Sequence, residues 1–188
     1  REPYKTMFWL LAMTGMRAGE MLGLQWQDID FDRGLLNIRR SAWYGRVQTT
    51  KNKNSEAIIP LPGILAATLR AFREQWKSNP DGFLFVTRNR RPPSSNKVVE
   101  YGLWPVLDLL AIPRCGLHAF RHTHTSLLFD TGATPKVVQE QLRHADPRVT
   151  LGVYAHVLGD AHREAVEKVA SVVFQSVPKA REETKYIQ

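Results

Sequence analysis

The chain has 188 residues, a length that supports one well-packed domain and not two large ones. Its 43% hydrophobic content excludes wholesale disorder, and a net charge of +8 with a pI near 9.9 favours a polyanionic partner. Cys115 is the single cysteine, so no intrachain disulfide can form and a reducing compartment is expected; no apolar run reaches the roughly 20 residues that cross a bilayer, and no signal peptide opens the sequence.

From Pro3 to Leu24, Phe8, Leu11, Ala12 and Gly15 recur at helical spacing, with Pro3 suited to a first turn. Gly15 and Gly19 punctuate this stretch and predict a break near Thr14–Arg17, followed by a short helix carrying Glu20, Met21 and Leu24. A chain that lacks an initial methionine and enters a helical pattern at once is expected to be an excised domain of a longer protein. After Asp28 the texture changes. Leu35–Ile38, Trp43-Tyr44 and Ala57–Ile59 predict three short strands, and the polar, basic run Thr49–Ser55 predicts an exposed hairpin tip.

Helical periodicity returns over Pro62–Lys77, with Ile64, Leu65, Thr68, Leu69 and Phe72 expected on one face. Asn79-Pro80-Asp81-Gly82 is a turn signal, and Arg88–Pro93 is a basic loop for which plain solvation is the simplest reading. A helical stretch starts at Ser94, and Pro105 must start, kink or end a helix there. His118–Asp130 predicts a helix ending at Thr131-Gly132. Thr134-Pro135, an N-cap followed by proline, opens another through Leu142. Pro147 is placed to open a short helix carrying Tyr154. The last periodic stretch, Val166, Val169, Ala170, Val173, Phe174 and Val177, forms an apolar stripe that must be buried against something.

Polar residues scattered over these elements have a common chemistry. Arg17 and Arg121 suit a phosphate, because a guanidinium stays charged and its fork matches two phosphate oxygens. Lys51, His118 and His144 can move protons, and the Tyr154 hydroxyl can attack phosphorus. Phosphodiesters resist attack because their charge repels nucleophiles, so catalysis rests on positioning and charge stabilisation. Asp28, Asp30 and Asp32 lie beside no phosphate-binding motif and are discounted as a metal site. His118 and Arg121, three apart, share one helical face. His122 and His124 raise a metal alternative, but His118 and His122 enclose no glutamate and flank an arginine that would repel a cation. They are read as packing or capping residues. Each of these residues alone has a bland reading as a surface or ion-pair group, and Tyr154 alone would be a helix surface tyrosine.

Together the motifs resemble the catalytic domain of the tyrosine recombinases, the phage-integrase family. TGMRAGEMLGLQWQDID is similar to that family's first arginine box, LHAFRHTHTSLL to its H-x-x-R-H-T box, TTKNKNSEAIIPL to its lysine hairpin, and QLRHADPRVTLGVYAH to its final histidine–tyrosine segment. The match runs from about residue 5 to about residue 157, with the boxes in the family's order. The resemblance implies an α+β fold, predominantly α-helical, with a small antiparallel β-sheet in the first third. It implies a catalytic domain over 1–158 and a C-terminal helix or tail over 159–188 that docks either on its own domain or on a neighbouring subunit. The family's separate N-terminal core-binding domain has no counterpart in this chain.

By the same resemblance Tyr154 is the nucleophile that forms a 3′-phosphotyrosyl bond, His118 a general base, and Lys51 the general acid for the leaving 5′-oxygen. Arg17 and Arg121 hold nonbridging oxygens, and His144 hydrogen-bonds the phosphate. Glu20 supports Arg17. Lys53 is the alternative lysine in the same hairpin and a DNA-contact candidate, as is Arg143, which stands where the family usually has glycine. No cofactor, metal or ATP is implied. The partners implied are double-stranded DNA, bound weakly and with strong salt dependence by this fragment, and further copies of the chain in a tetramer on paired sites. The setting implied is a prokaryotic cytoplasm, at the nucleoid. The activity is site-specific recombination for a phage or mobile element. Alternatives are a recombinase of Xer type that resolves chromosome dimers, a catalytically silent DNA-binding module of the same fold, and a hydrolytic nuclease.

Overall fold

The computed structural model describes residues 1–49 and 57–143 together with the isolated positions 148, 150, 152 and 169. Helix α1, Tyr4–Thr14, ends where Gly15 takes a left-handed conformation (φ 63°) and donates its N–H to the Leu11 carbonyl. Arg17 then returns to extended geometry and caps the five-residue helix α2, Ala18–Leu22. The break expected near Thr14–Arg17 is therefore present, and its cause is local: a glycine tolerates the left-handed turn that ends one helix three residues before the next begins.

A one-turn 3₁₀ helix at Trp26–Asp28 leads, among the described residues, into five short strands: β1 Ile29–Asp30, β2 Leu35–Ile38, β3 Arg40–Trp43, β4 Arg46–Thr49 and β5 Ala57–Pro60. They form two small antiparallel units, β1-β2-β5 and β3-β4. Three strands were expected from sequence, at Leu35–Ile38, Trp43-Tyr44 and Ala57–Ile59, and the described residues add β1 and β4 to them. The tight turn lies at Tyr44-Gly45, both at positive φ, within a β3–β4 hairpin, whereas β5 returns to pair with β2 in the register Leu36↔Ile59. The expected tip, Thr49–Ser55, falls almost wholly outside the described residues. Asp28, one of the aspartates discounted for metal binding, is fully buried. It accepts the Gln25 N–H at 2.8 Å and pairs with Arg40 at 2.5 Å, so it holds the 3₁₀ turn to β3.

Helix α3, Gly63–Glu74, buries Leu65, Ala66, Leu69 and Phe72. Ile64, expected on that face, is 67% exposed instead. The buried stripe is set by Leu65 and Leu69, and Ile64 lies outside it in the first turn, where Pro62 fixes the entry of the chain. The Asn79–Gly82 turn closes with the Gly82 N–H on the Asn79 carbonyl, and the Asn79 side chain bonds both backbone groups of Phe83. Helix α4, Ser95–Val98, runs through a wide π turn at Val99–Leu103 into α5, Trp104–Leu109. Pro105 explains the widening, because it has no N–H for the carbonyl four residues earlier and its ring crowds it.

Helix α6 spans His118–Asp130 and α7 spans Pro135–Leu142, with the Thr134 hydroxyl accepting from the Val137 N–H. The main core gathers α1, α2, β2, β5, α3 and α5 around Met7, Leu10, Leu11, Leu36, Leu65 and Leu69. Helix α6 joins it through Phe120, whose ring stacks on Phe8 of α1 at 5.4 Å. A second, smaller core of Phe129, Val138 and Leu142 locks α7 onto α6. The architecture is α+β and mainly helical, with its antiparallel strands in the first third of the chain. No helix among the described residues is long and apolar enough to cross a membrane.

Candidate active site

The site lies where three helix ends meet: the C-terminus of α1, the N-terminus of α2 and the C-terminus of α7, with α6 packed against them. A helix leaves its last carbonyls without intrahelical donors. Here side chains from α6 and α7 satisfy those of α1. His124 Nδ1 meets the Ala12 carbonyl at 2.9 Å, Gln141 Nε2 donates to Thr14 O at 3.1 Å, and Arg121 Nη1 donates to Gly15 O at 2.7 Å. The other arm of Arg121 donates to Leu142 O, the last carbonyl of α7, at 2.5 Å. One guanidinium thus staples two helix C-termini, whose dipoles favour a cation there.

Arg121 is 4% exposed, and burial followed by the charges of Arg17 and Arg143 lowers its pKa to about 10, with Glu20 acting in the opposite direction. It remains charged at neutral pH. The two backbone bonds engage two of the five N–H donors of a guanidinium. Arg17, whose side chain is half exposed, stands at the N-cap of α2, where Glu20 accepts its backbone N–H at 2.8 Å and its Nη1 at 3.0 Å. The Glu20 carboxylate also takes Arg143 Nη2 at 2.5 Å.

His118 begins α6 on the same face as Arg121. Its ring meets that of His122 edge-on with centroids 4.7 Å apart. Its pKa falls below the ordinary 6.5, first through burial and then through electrostatic interaction with His122 and with the Arg121 and Arg17 guanidinium groups. A neutral imidazole among fixed cations can accept a proton near pH 7. His124 also has a lowered pKa, chiefly from burial. With Nδ1 donating to Ala12 O, its buried Nε2 has no partner among the described residues, which fits the neutral ring. His124 is therefore a packing and capping residue. Among the described residues no cluster of three His, Cys, Asp or Glu side chains could hold a metal.

The structure brings together Arg17, Glu20, His118, Arg121 and Arg143. Lys51, Lys53, His144 and Tyr154 lie outside the described residues. Arg143 sits directly before His144, and its own geometry differs from that of an exposed DNA contact: its side chain is 14% exposed and committed to Glu20. Gln141 carries no motif and was not singled out from sequence, since its role depends on a carbonyl 127 residues away. In chemical terms the described part of the site is a cluster of fixed positive charge beside a neutral histidine, suited to an anion with two or more oxygens.

The sequence profile of the Phage integrase family matches residues 1–160. A protein named tyrosine recombinase XerC-like from Caldanaerobacter subterraneus subsp. tengcongensis is 30% identical over 189 aligned residues, covering 87% of this chain and 48% of its own length. The integrase of Staphylococcus phage L54a is 28% identical, covering 87% and 50%. The chain spans about half the length of these curated relatives. Among solved structures, the Tn1549 transposon integrase in complex with circular intermediate DNA matches with a TM-score of 0.74 at 23% identity, over 90% of this chain and 61% of that one. At that identity the likeness bears on the fold.

Proposed function

Since the chain belongs to the phage integrase family, we propose that it is the catalytic domain of a site-specific DNA recombinase that cleaves and rejoins strands through a 3′-phosphotyrosyl intermediate. The observation that carries this reading is the convergence of Arg17, His118 and Arg121 at one point of the fold, with the two arginines on helix ends that fix them.

The scissile phosphate lies between the Arg17 and Arg121 guanidinium groups, which bind its nonbridging oxygens and offset the charge that builds on them during attack. The Tyr154 hydroxyl attacks phosphorus and the bond to the 5′-oxygen breaks. Phenol ionises near pH 10, so the proton must be removed as attack proceeds, and neutral His118 is the base for it. Lys51 delivers a proton to the 5′-oxygen as it leaves, with Lys53 the alternative. His144 donates a hydrogen bond to the phosphate. The ester energy is retained in the phosphotyrosine, so a 5′-hydroxyl from a partner strand reverses the step without ATP. Charge is neutralised by the fixed guanidinium groups, and the reaction proceeds in the presence of a chelator.

The substrate is double-stranded DNA, engaged mainly through phosphates by a chain of net charge +8. Residues 159–188 form a tail that docks on a catalytic domain, and recombination requires four protomers on two sites in the nucleoid of a prokaryotic cell. Integration or excision of a mobile element is the main reading. The presence of a relative named XerC-like favours dimer resolution as the second.

A nicked suicide duplex bearing the crossover sequence tests the chemistry. An adduct that survives denaturation, forms with EDTA present and is lost in Tyr154→Phe supports the reading. Strand cleavage that leaves no adduct and stops with EDTA points to a nuclease, and binding without cleavage by the whole protein points to a silent module.

A further inference from the structure

We propose that Arg143 is a positioning residue, which clamps the Glu20 carboxylate so that Arg17 and the end of α7 are held in one register; the role in catalysis rests on the reading of the site given above. Glu20 is gripped from both sides. Its Oε1 takes Arg17 Nη1 at 3.0 Å, and its Oε2 takes both the Arg17 N–H at 2.8 Å and Arg143 Nη2 at 2.5 Å. A second Arg143 nitrogen donates to Gln141 O at 3.2 Å, so the guanidinium is fixed at two points. Both partners of the ion pair are largely withdrawn from water, at 14% and 12% side-chain exposure, where such a pair is little screened and strongly directional.

The backbone tells the same story. Arg143 closes α7 at φ 57°, a left-handed position where glycine is the residue of least strain. A chain that needed only the turn would be better served by glycine. The side chain that occupies this strained position reaches across to α2, an element 123 residues away in sequence. It also stands next to Leu142, whose carbonyl is held by Arg121. Arg121 and Arg143 therefore make two parallel ties from the end of α7, one to the end of α1 and one to the start of α2. Two ties fix an orientation where one would leave a hinge.

Two measurements test this, and the first needs no DNA. Side-chain ¹⁵Nε relaxation in the 188-residue chain reports the order of the Arg17 guanidinium. We expect that order to fall in Arg143→Gly and Arg143→Met, and to be largely restored in Arg143→Lys. Glycine relieves the left-handed strain, so Arg143→Gly folds. Unchanged Arg17 order in Arg143→Gly overturns the clamp.

The second is single-turnover cleavage of the nicked suicide duplex by the whole protein. Arg143→Gly should slow cleavage about 10- to 100-fold, with DNA affinity changed less than about threefold, because a small misplacement of a catalytic group acts on the chemical step. Combining it with Glu20→Gln should cost little more than either alone. A loss that falls instead on affinity, with the salt slope reduced by about one, marks Arg143 as a phosphate contact and overturns the positioning role. If wild type forms no adduct, the functional reading fails, and the relaxation measurement still decides the clamp.

Discussion

Replacing Gly15 with alanine tests the geometry that joins α1 to the site. Gly15 has φ 63°, and a Cβ built there would stand 2.6 Å from His124 Cδ2 and 2.8 Å from a Leu142 methyl. The left-handed backbone alone costs an L-residue about 1–2 kcal/mol. The added methyl overpacks a region that is closed by the His124–Ala12 bond and by α7, which adds about 1–3 kcal/mol. We expect Gly15→Ala to lose about 3 kcal/mol in urea unfolding followed by circular dichroism, equivalent to a fall in Tm of about 6–12 °C for a domain of this size. Gly132→Ala is the control: it has φ 85° but nothing within 4 Å of the new Cβ, so only the backbone term applies. The difference between the variants isolates the clash. Equal losses would refute the argued contact between Gly15, His124 and Leu142. Because Gly15 also supplies the carbonyl that holds Arg121, cleavage should fall even at temperatures where the variant is folded.

Arg121→Lys removes the fork that spans Gly15 O and Leu142 O, so stability should drop by about 2–4 kcal/mol and cleavage by about 10²–10³-fold; a loss under tenfold would show that the fork is dispensable. His118 and His124 both have folded-state pKa values below 6.5. The sign follows: protonation favours the unfolded chain, so stability is full above pH 6.5 and is lost as the pH falls through the lower folded-state values. The cleavage rate should likewise fall only below 6.5 on account of His118, and a midpoint above 7 in a pH–rate profile would contradict its role as a neutral base. Asp28→Asn strips the charge from a fully buried carboxylate paired to Arg40, and unfolding should show a loss of about 3–5 kcal/mol. The double variant Asp28→Leu with Arg40→Met should lose less, because no charge is left buried alone.

Local chemistry was enough to read much of the scaffold. Gly15 after Thr14, Thr134 before Pro135, Gly132 after α6 and the Asn79–Gly82 turn each mark an element end through a conformation or a cap that belongs to a few neighbouring residues. The motifs around Arg17 and around His118 and Arg121 were legible for the same reason, as was the family they belong to. Pairings between distant segments were not. The return of β5 to β2, with β3–β4 as a separate hairpin, depends on which apolar faces meet the core, and short strands do not announce their partners. The exposure of Ile64 beside buried Leu65 was decided by how α3 leans on α1. Arg143 read alone is a candidate DNA contact, and Gln141 reads as an ordinary helix residue. Only when α7 packs against the ends of α1 and α2 does one find Glu20 and the other Thr14 O, across 123 and 127 residues of chain. Such bonds are consequences of packing, because hydrogen bonding has a reach of about 3 Å and the sequence distance between partners carries no trace of it.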